Sequence, residues 1–418
     1  MLDEVQREEA LIHFQRGLHL ERAHRVNEAV EEYRLAIAHD PHLREAHDAL
    51  GCYYQRQGLL AKAADEFRVV TALDGDFLSH FNFGCVLLDL GRHDDALAQF
   101  ERCKALQPND VACDYEIGYI QFLKGNYHAA LELLRTPLLR YPDDWEVYNT
   151  IGSCHLRLGA YDAALEAFGQ ALRFATRPYA QAQVIESIRA IDRYRELGAI
   201  RCAKDRMYAE SGVVYLGSAQ DDGIAIEEFQ HYHFTYPDIG ATMRRFLAVY
   251  AELEWAFSSV VALDRQSAPL ADALAELIGA PSVPADAVRA SDLPLFVLAV
   301  GHEAELLKLA IERAPTPAIT FCLGLNWLRH SPVLPDITGV VARGGCSVPW
   351  EPEIRRLRAD GAAPSQIVAC QRLAAARILV ATREIAPDYA LAHQAQYYQR
   401  HSNLRFVSIL EQHPAALA

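Results

Sequence analysis

The chain has 418 residues, is 51% hydrophobic and 23% charged, and carries a formal net charge of −15, which suggests two or three globular units at about 100–200 residues each and excludes a disordered chain. Acids outnumber bases in both halves, 28 to 18 over residues 1–178 and 27 to 22 over 179–418; no cationic cluster stands out, so nucleic acid is not expected as a partner. The longest apolar stretches, such as 293–301 and 337–342, fall short of the roughly 20 residues of a membrane span, and the acidic start MLDEVQREEALIHF is no secretory signal, so the expectation is a cytoplasmic protein without membrane partners.

The first half repeats itself. Glycines recur at Gly17, Gly51, Gly84, Gly118 and Gly152, with spacings of 34, 33, 34 and 34. Twelve residues after each comes Ala29, Ala63, Ala96, Ala130 or Ala164, and four further on Tyr33, Phe67, Phe100, Leu134 or Phe168. Prolines close three repeats, at Pro41, Pro108 and Pro142; the second repeat has Asp74-Gly75 there, and the fifth has Thr176 followed by Pro178. Small residues let two helices approach closely, the large apolar residue fills the space between them, and proline ends the second helix.

These offsets, in stretches such as NEAVEEYRLAIAHDP and YDAALEAFGQAL, resemble the tetratricopeptide repeat family over about residues 9–178. The resemblance implies an α-solenoid of ten helices and a binding scaffold whose first helices line a concave groove. Residues 179–198 have the apolar spacing of a capping helix, with Val184, Ile188, Ile191 and Tyr194, as a solenoid end requires. Carried onto this register, the groove positions are Leu11, Phe14 and Leu18; Glu45, Asp48, Cys52 and Arg56; Leu78, Phe81, Cys85 and Leu88; Ala112, Tyr115, Tyr119 and Phe122; and Glu146, Asn149, Ser153 and Arg157. Family members that grip a terminal carboxylate use Lys and Asn in the first repeat, where this chain has Phe14 and Leu18; that clamp is absent. Phe81, Tyr115, Tyr119 and Phe122 are the candidate partner-binding residues, either for a protein or peptide or for packing within the chain itself.

Past residue 205 the repeats stop. The runs at 212–218, 258–264, 293–301, 318–325 and 337–344 read as strands buried on both faces, alternating with helical stretches, which predicts an α/β unit with a mostly parallel sheet and helices on both faces. Residues 366–400 read as two helices broken before Pro387. The expected organisation is a solenoid with its cap over 1–200, an α/β domain over 205–360 and C-terminal helices over 361–418.

In such a sheet, chemistry sits just beyond the strand ends, which makes Asp264, Arg265, Ser267 and His302 the catalytic candidates, although an Asp and Arg that cap the next helix explain the first three equally well. The stretch VVALDRQSAPLADALAELIGAP, about 22 residues, looks like the strand, loop and helix of type I phosphoribosyltransferases. The acidic pair of that family's ribose-phosphate signature is missing, which implies that its pyrophosphate chemistry is lost if the fold is shared. His231 and His233, with Glu227 or Glu228, lack a fourth ligand pattern, so no metal is expected. No nucleotide motif is present and no cofactor is expected. Gly344-Gly345-Cys346-Ser347 reads as a turn with a buried cysteine. The nine cysteines include no CxxC pair and are expected to be reduced. The excess of Arg over Lys, with Ala-rich helices, suggests a GC-rich bacterial genome. The reading is a scaffold that recruits a protein or peptide, with an α/β half of unassigned activity; the alternative is an enzyme acting on a phosphorylated or nucleotide-like small molecule through that half. Neither the oligomeric state nor the partner's identity is legible.

Overall fold

The computed structural model describes residues 2–221, 223–224, 226, 229–301, 304–326, 334–386, 389–401, 403–407 and 409. His302, Glu227, Glu228 and Pro387 lie outside the described residues. The chain divides into two compact units, Met1–Ser187 and Ile188–Ala418. Among the described residues, no helix is long and apolar enough to cross a membrane.

The first unit is built of helix hairpins: α1 Leu2–Arg22 with α2 Val26–His39, α3 Arg44–Arg56 with α4 Leu60–Leu73, α5 Phe77–Asp89 with α6 His93–Leu106, α7 Val111–Leu123 with α8 Tyr127–Arg140, and α9 Trp145–Arg157 with α10 Tyr161–Phe174. A further helix, α11, runs over Pro178–Leu197. The second helices of the first, third and fourth pairs each end two residues before Pro41, Pro108 and Pro142, as the missing proline amide requires. The five repeat alanines are 0–1% exposed, and the five large residues that follow them 0–2% exposed, so each hairpin has its own small core. The tight turns inside the hairpins use a second glycine series, Gly58, Gly91, Gly125 and Gly159, all with φ between +69° and +81°; the first hairpin places His24 there, at φ +58°.

The second unit follows as α12 Ala203–Ser211, β1 Val214–Tyr215, β2 Tyr232–His233, α13 Tyr236–Glu252, β3 Ser259–Ala262, α14 Ala268–Ile278, β4 Pro294–Gly301, α15 Ala304–Arg313, β5 Ile319–Asn326, β6 Ile337–Ala342, β7 Cys346–Ser347, α16 Glu351–Ala359, α17 Pro364–Glu384 and α18 Tyr389–Arg400. The expected strands form one parallel sheet in the order β1-β6-β5-β4-β3, with register pairs such as Val297 with Phe321 and Phe321 with Ile337. A two-residue parallel pair, β2 with β7, lies beside it. Every residue of β4 is buried, and its side chains alternate between faces. Leu295, Val297 and Ala299 share a core with Phe246 of α13, Leu270 of α14 and Ile378 of α17. Phe296 and Leu298 turn to the other face, toward Ala310 and Leu306 of α15. Helices thus cover both faces, and α17 packs on α13 and α14.

Candidate partner-binding groove

The first helices of the third, fourth and fifth hairpins start from Asp76, Asp110 and Asp144, whose carboxylates accept the amides of Ser79, Cys113, and Glu146 with Val147. These caps satisfy otherwise orphaned amides and fix the first turn of each helix. Counting from each cap, the residues five, nine and twelve positions on share one helix face: Phe81, Cys85 and Leu88 on α5; Tyr115, Tyr119 and Phe122 on α7; Asn149, Ser153 and Leu156 on α9.

On α7 that face is a row of aromatic rings. Tyr115 and Tyr119 stack at 6.3 Å and 3°, and Tyr119 and Phe122 at 6.0 Å and 23°. All three line a cavity of about 350 Å³ together with Glu146, Asn149 and Ser153 of α9. Two further aromatic residues close it, Trp145 and Tyr179, whose rings meet edge-on at 6.3 Å. The sequence reading missed these two because they lie outside the five-nine-twelve face, Trp145 at the first position of α9 and Tyr179 on α11. Asn149 lines the cavity, and its Oδ1 oxygen is buried without a hydrogen-bond partner among the described residues. Glu146 is exposed at the rim, and its carboxyl is pushed up by partial burial and by Asp144. Glu116, on α7 beside this face, is pushed up to about 7, first by burial and then by Asp89 and Glu146.

The four sequence-predicted residues are not equivalent. Phe81 packs edge-on against Phe100 at 5.5 Å and stacks on Phe77 at 5.8 Å, within the core of its own hairpin and outside the cavity lining. Tyr115 is half-buried against the core that holds Leu134 and Val147, and its hydroxyl lies 3.3 Å from Thr150 Oγ1. Phe122 packs on that core and on Tyr127. Tyr119 is half-buried, lines the cavity and stacks on Tyr115 and Phe122. Nearer the amino terminus, Asp48, Cys52 and Arg56 line a second cavity with Glu21, which accepts a hydrogen bond from Arg56 at 2.8 Å.

The strand-end candidates of the second unit are tied into its architecture. The Asp264 carboxylate accepts the Ser267 amide at 2.7 Å, and the buried Ser267 hydroxyl oxygen accepts the Ala299 amide of β4 at 2.7 Å. Arg265 is exposed, with its carbonyl bonded by Gln371 of α17. The structure therefore brings Asp264 and Ser267 together as a loop brace, while His302 is outside the described residues. His233 bonds Ser347 through Nδ1 at 2.7 Å, and no group of three or more metal-ligating side chains occurs among the described residues. Burial pushes the Cys346 thiol up to about 12, the opposite of an activated nucleophile.

A tetratricopeptide repeat family model matches residues 81–138 and 115–181. The BBSome complex member BBS4 of Bos taurus is 24% identical over 150 residues, 36% of this chain and 29% of that protein, so the chain spans less than a third of the length of the curated relative it matches. Among solved structures, YrrB, described as a TPR protein with an unusual peptide-binding site, is 18% identical over 44% of this chain and 94% of its own, with a TM-score of 0.38. PilF of Pseudomonas aeruginosa is 18% identical over 49% and 95%, with a TM-score of 0.36. MamA is 21% identical over 40% and 92%, with a TM-score of 0.37. The period of glycine, alanine and large apolar residue, the hairpins it builds and the family match agree: the first unit is a solenoid of tetratricopeptide repeats.

Proposed function

We propose that this protein is an interaction scaffold that recruits a protein or peptide through the surface formed by α7, α9 and the start of α11. The observation that carries this reading is the cavity of about 350 Å³ between the Tyr115, Tyr119 and Phe122 row and the polar face of α9. Half-exposed aromatic rings beside unsatisfied polar groups make a favourable recognition surface, because rings bury large area at little entropic cost and dominate binding energy where they anchor a partner. Function is assigned to the solenoid because two of the four strand-end candidates of the second unit, Asp264 and Ser267, brace a loop against β4.

A photo-crosslinking side chain at position 119 tests this, with position 139 as the control, since Leu139 is 84% exposed and absent from the cavity lining. In cells that make the protein naturally, a discrete adduct should form from position 119 and not from 139. Equal or absent labelling at the two positions would remove the assignment.

A further inference from the structure

Resting on that reading, we infer that the α7–α9 cavity recognises a cationic side chain, an arginine or lysine carried by a peptide segment of the partner. The argument begins with what the cavity offers. Its charged lining residue is Glu146; no Lys or Arg is among the side chains that line it. Asn149 also lines it, with its Oδ1 oxygen buried and without a hydrogen-bond partner among the described residues. An ionised carboxylate only accepts hydrogen bonds, and an ammonium or guanidinium only donates them, so a basic side chain is the natural complement of Glu146.

The aromatic lining points the same way. The cavity lining includes Tyr115, Tyr119, Phe122, Trp145 and Tyr179, and the open face of a Tyr or Trp ring attracts a guanidinium or ammonium placed within about 6 Å of its centroid. A carboxylate ligand would meet the negative faces of the rings and the Glu146 carboxylate together. Charge crowding beside the cavity is consistent with this: burial first, and then the fields of Asp89 and Glu146, hold the Glu116 carboxyl up. A cation seated next to Glu146 offsets that repulsion, whereas an acidic or apolar residue does not. The complementarity is thus aromatic ring and carboxylate to one positive side chain, in a chain whose net charge of −15 also favours the approach of a basic segment.

The test is selection of displayed random dodecapeptides on the full-length chain, counter-selected against the Tyr119→Ala/Glu146→Gln variant, at near-physiological salt. Peptides retained by the natural chain and lost on the variant should share an Arg or Lys. In a synthetic peptide of that sequence, replacing the base with Gln should weaken binding about tenfold or more. Glu166→Gln, which removes the same charge from an exposed position on α10, should leave binding unchanged; an equal loss there would reduce the effect to net charge and overturn the inference. Variant-dependent peptides that share an acid, or apolar residues alone, would overturn the cationic assignment and leave the groove reading standing. No variant-dependent peptide at all would overturn both. If the double variant does not fold, Glu146→Gln alone, at an exposed rim position, carries the same comparison.

Discussion

Gly152 and Phe168 lie so close that a methyl group placed on the glycine would stand 2.5 Å from the phenylalanine ring. The same relation holds sixteen residues apart in the other hairpins, at 2.4 Å for Gly17 with Tyr33, 2.8 Å for Gly51 with Phe67 and 2.9 Å for Gly84 with Phe100, but it relaxes to 3.2 Å for Gly118 with Leu134. A rigid ring wedged against backbone cannot yield, whereas the flexible end of a leucine can.

This difference predicts opposite outcomes for one substitution. Alanine gains about 1 kcal/mol over glycine in a helix interior, while overpacking costs about 1–3 kcal/mol. Gly118→Ala should be neutral or slightly stabilising, and Gly152→Ala should destabilise by about 1–2 kcal/mol. Chemical denaturation of the two variants side by side measures this, and equal effects would refute the packing account.

Ser267 yields a prediction that separates a structural from a catalytic role. Its hydroxyl oxygen is the acceptor for the buried Ala299 amide, so Ser267→Ala orphans a backbone donor at a cost of about 1–3 kcal/mol. The expected result is a lower melting temperature for the second unit's transition. Unchanged stability would show that the brace is dispensable.

Glu116 gives a pH signature. Its folded value, about 7, lies above its ordinary value of 4.5, so its contribution to stability is full below about 4.5 and is lost as pH rises through about 7. Discounted for partial exposure, the loss is on the order of 1 kcal/mol. Glu116→Gln, which cannot ionise, should gain stability over the natural chain as pH rises from 5 to 8.5. Parallel pH profiles of melting temperature would mean that neither the burial of Glu116 nor the crowding by Asp89 and Glu146 is felt.

The repeats were legible because each position meets a local steric demand: Gly152 must admit Phe168, and Ala164, 0% exposed, must let two helices touch. The turn series at Gly58, Gly91, Gly125 and Gly159 passed unnoticed because its first member is His24, which holds the left-handed conformation without being glycine. The parallel sheet was legible from runs such as 293–301, since strands buried on both faces read as continuous apolar stretches. The division of labour among Phe81, Tyr115, Tyr119 and Phe122 was not legible. All four occupy the same kind of position, and only the neighbouring elements decide which ring is absorbed into a core, as Phe81 is by Phe100. Trp145 and Tyr179 were invisible for a related reason, because the cavity they close is made by contacts across helices.

The central claim is that the α7 row recognises a partner instead of holding the solenoid together, and Tyr119→Ala isolates it, because Tyr119 lines the cavity while Tyr115 and Phe122 pack on the core that holds Leu134 and Val147. The direct measurement is the affinity of the full chain and of this variant for a groove-dependent peptide, alongside their melting temperatures. The account predicts a loss of about 2 kcal/mol or more in binding with the melting temperature essentially unchanged. Retained affinity, or a melting temperature that falls as it does for Phe122→Ala, would contradict it.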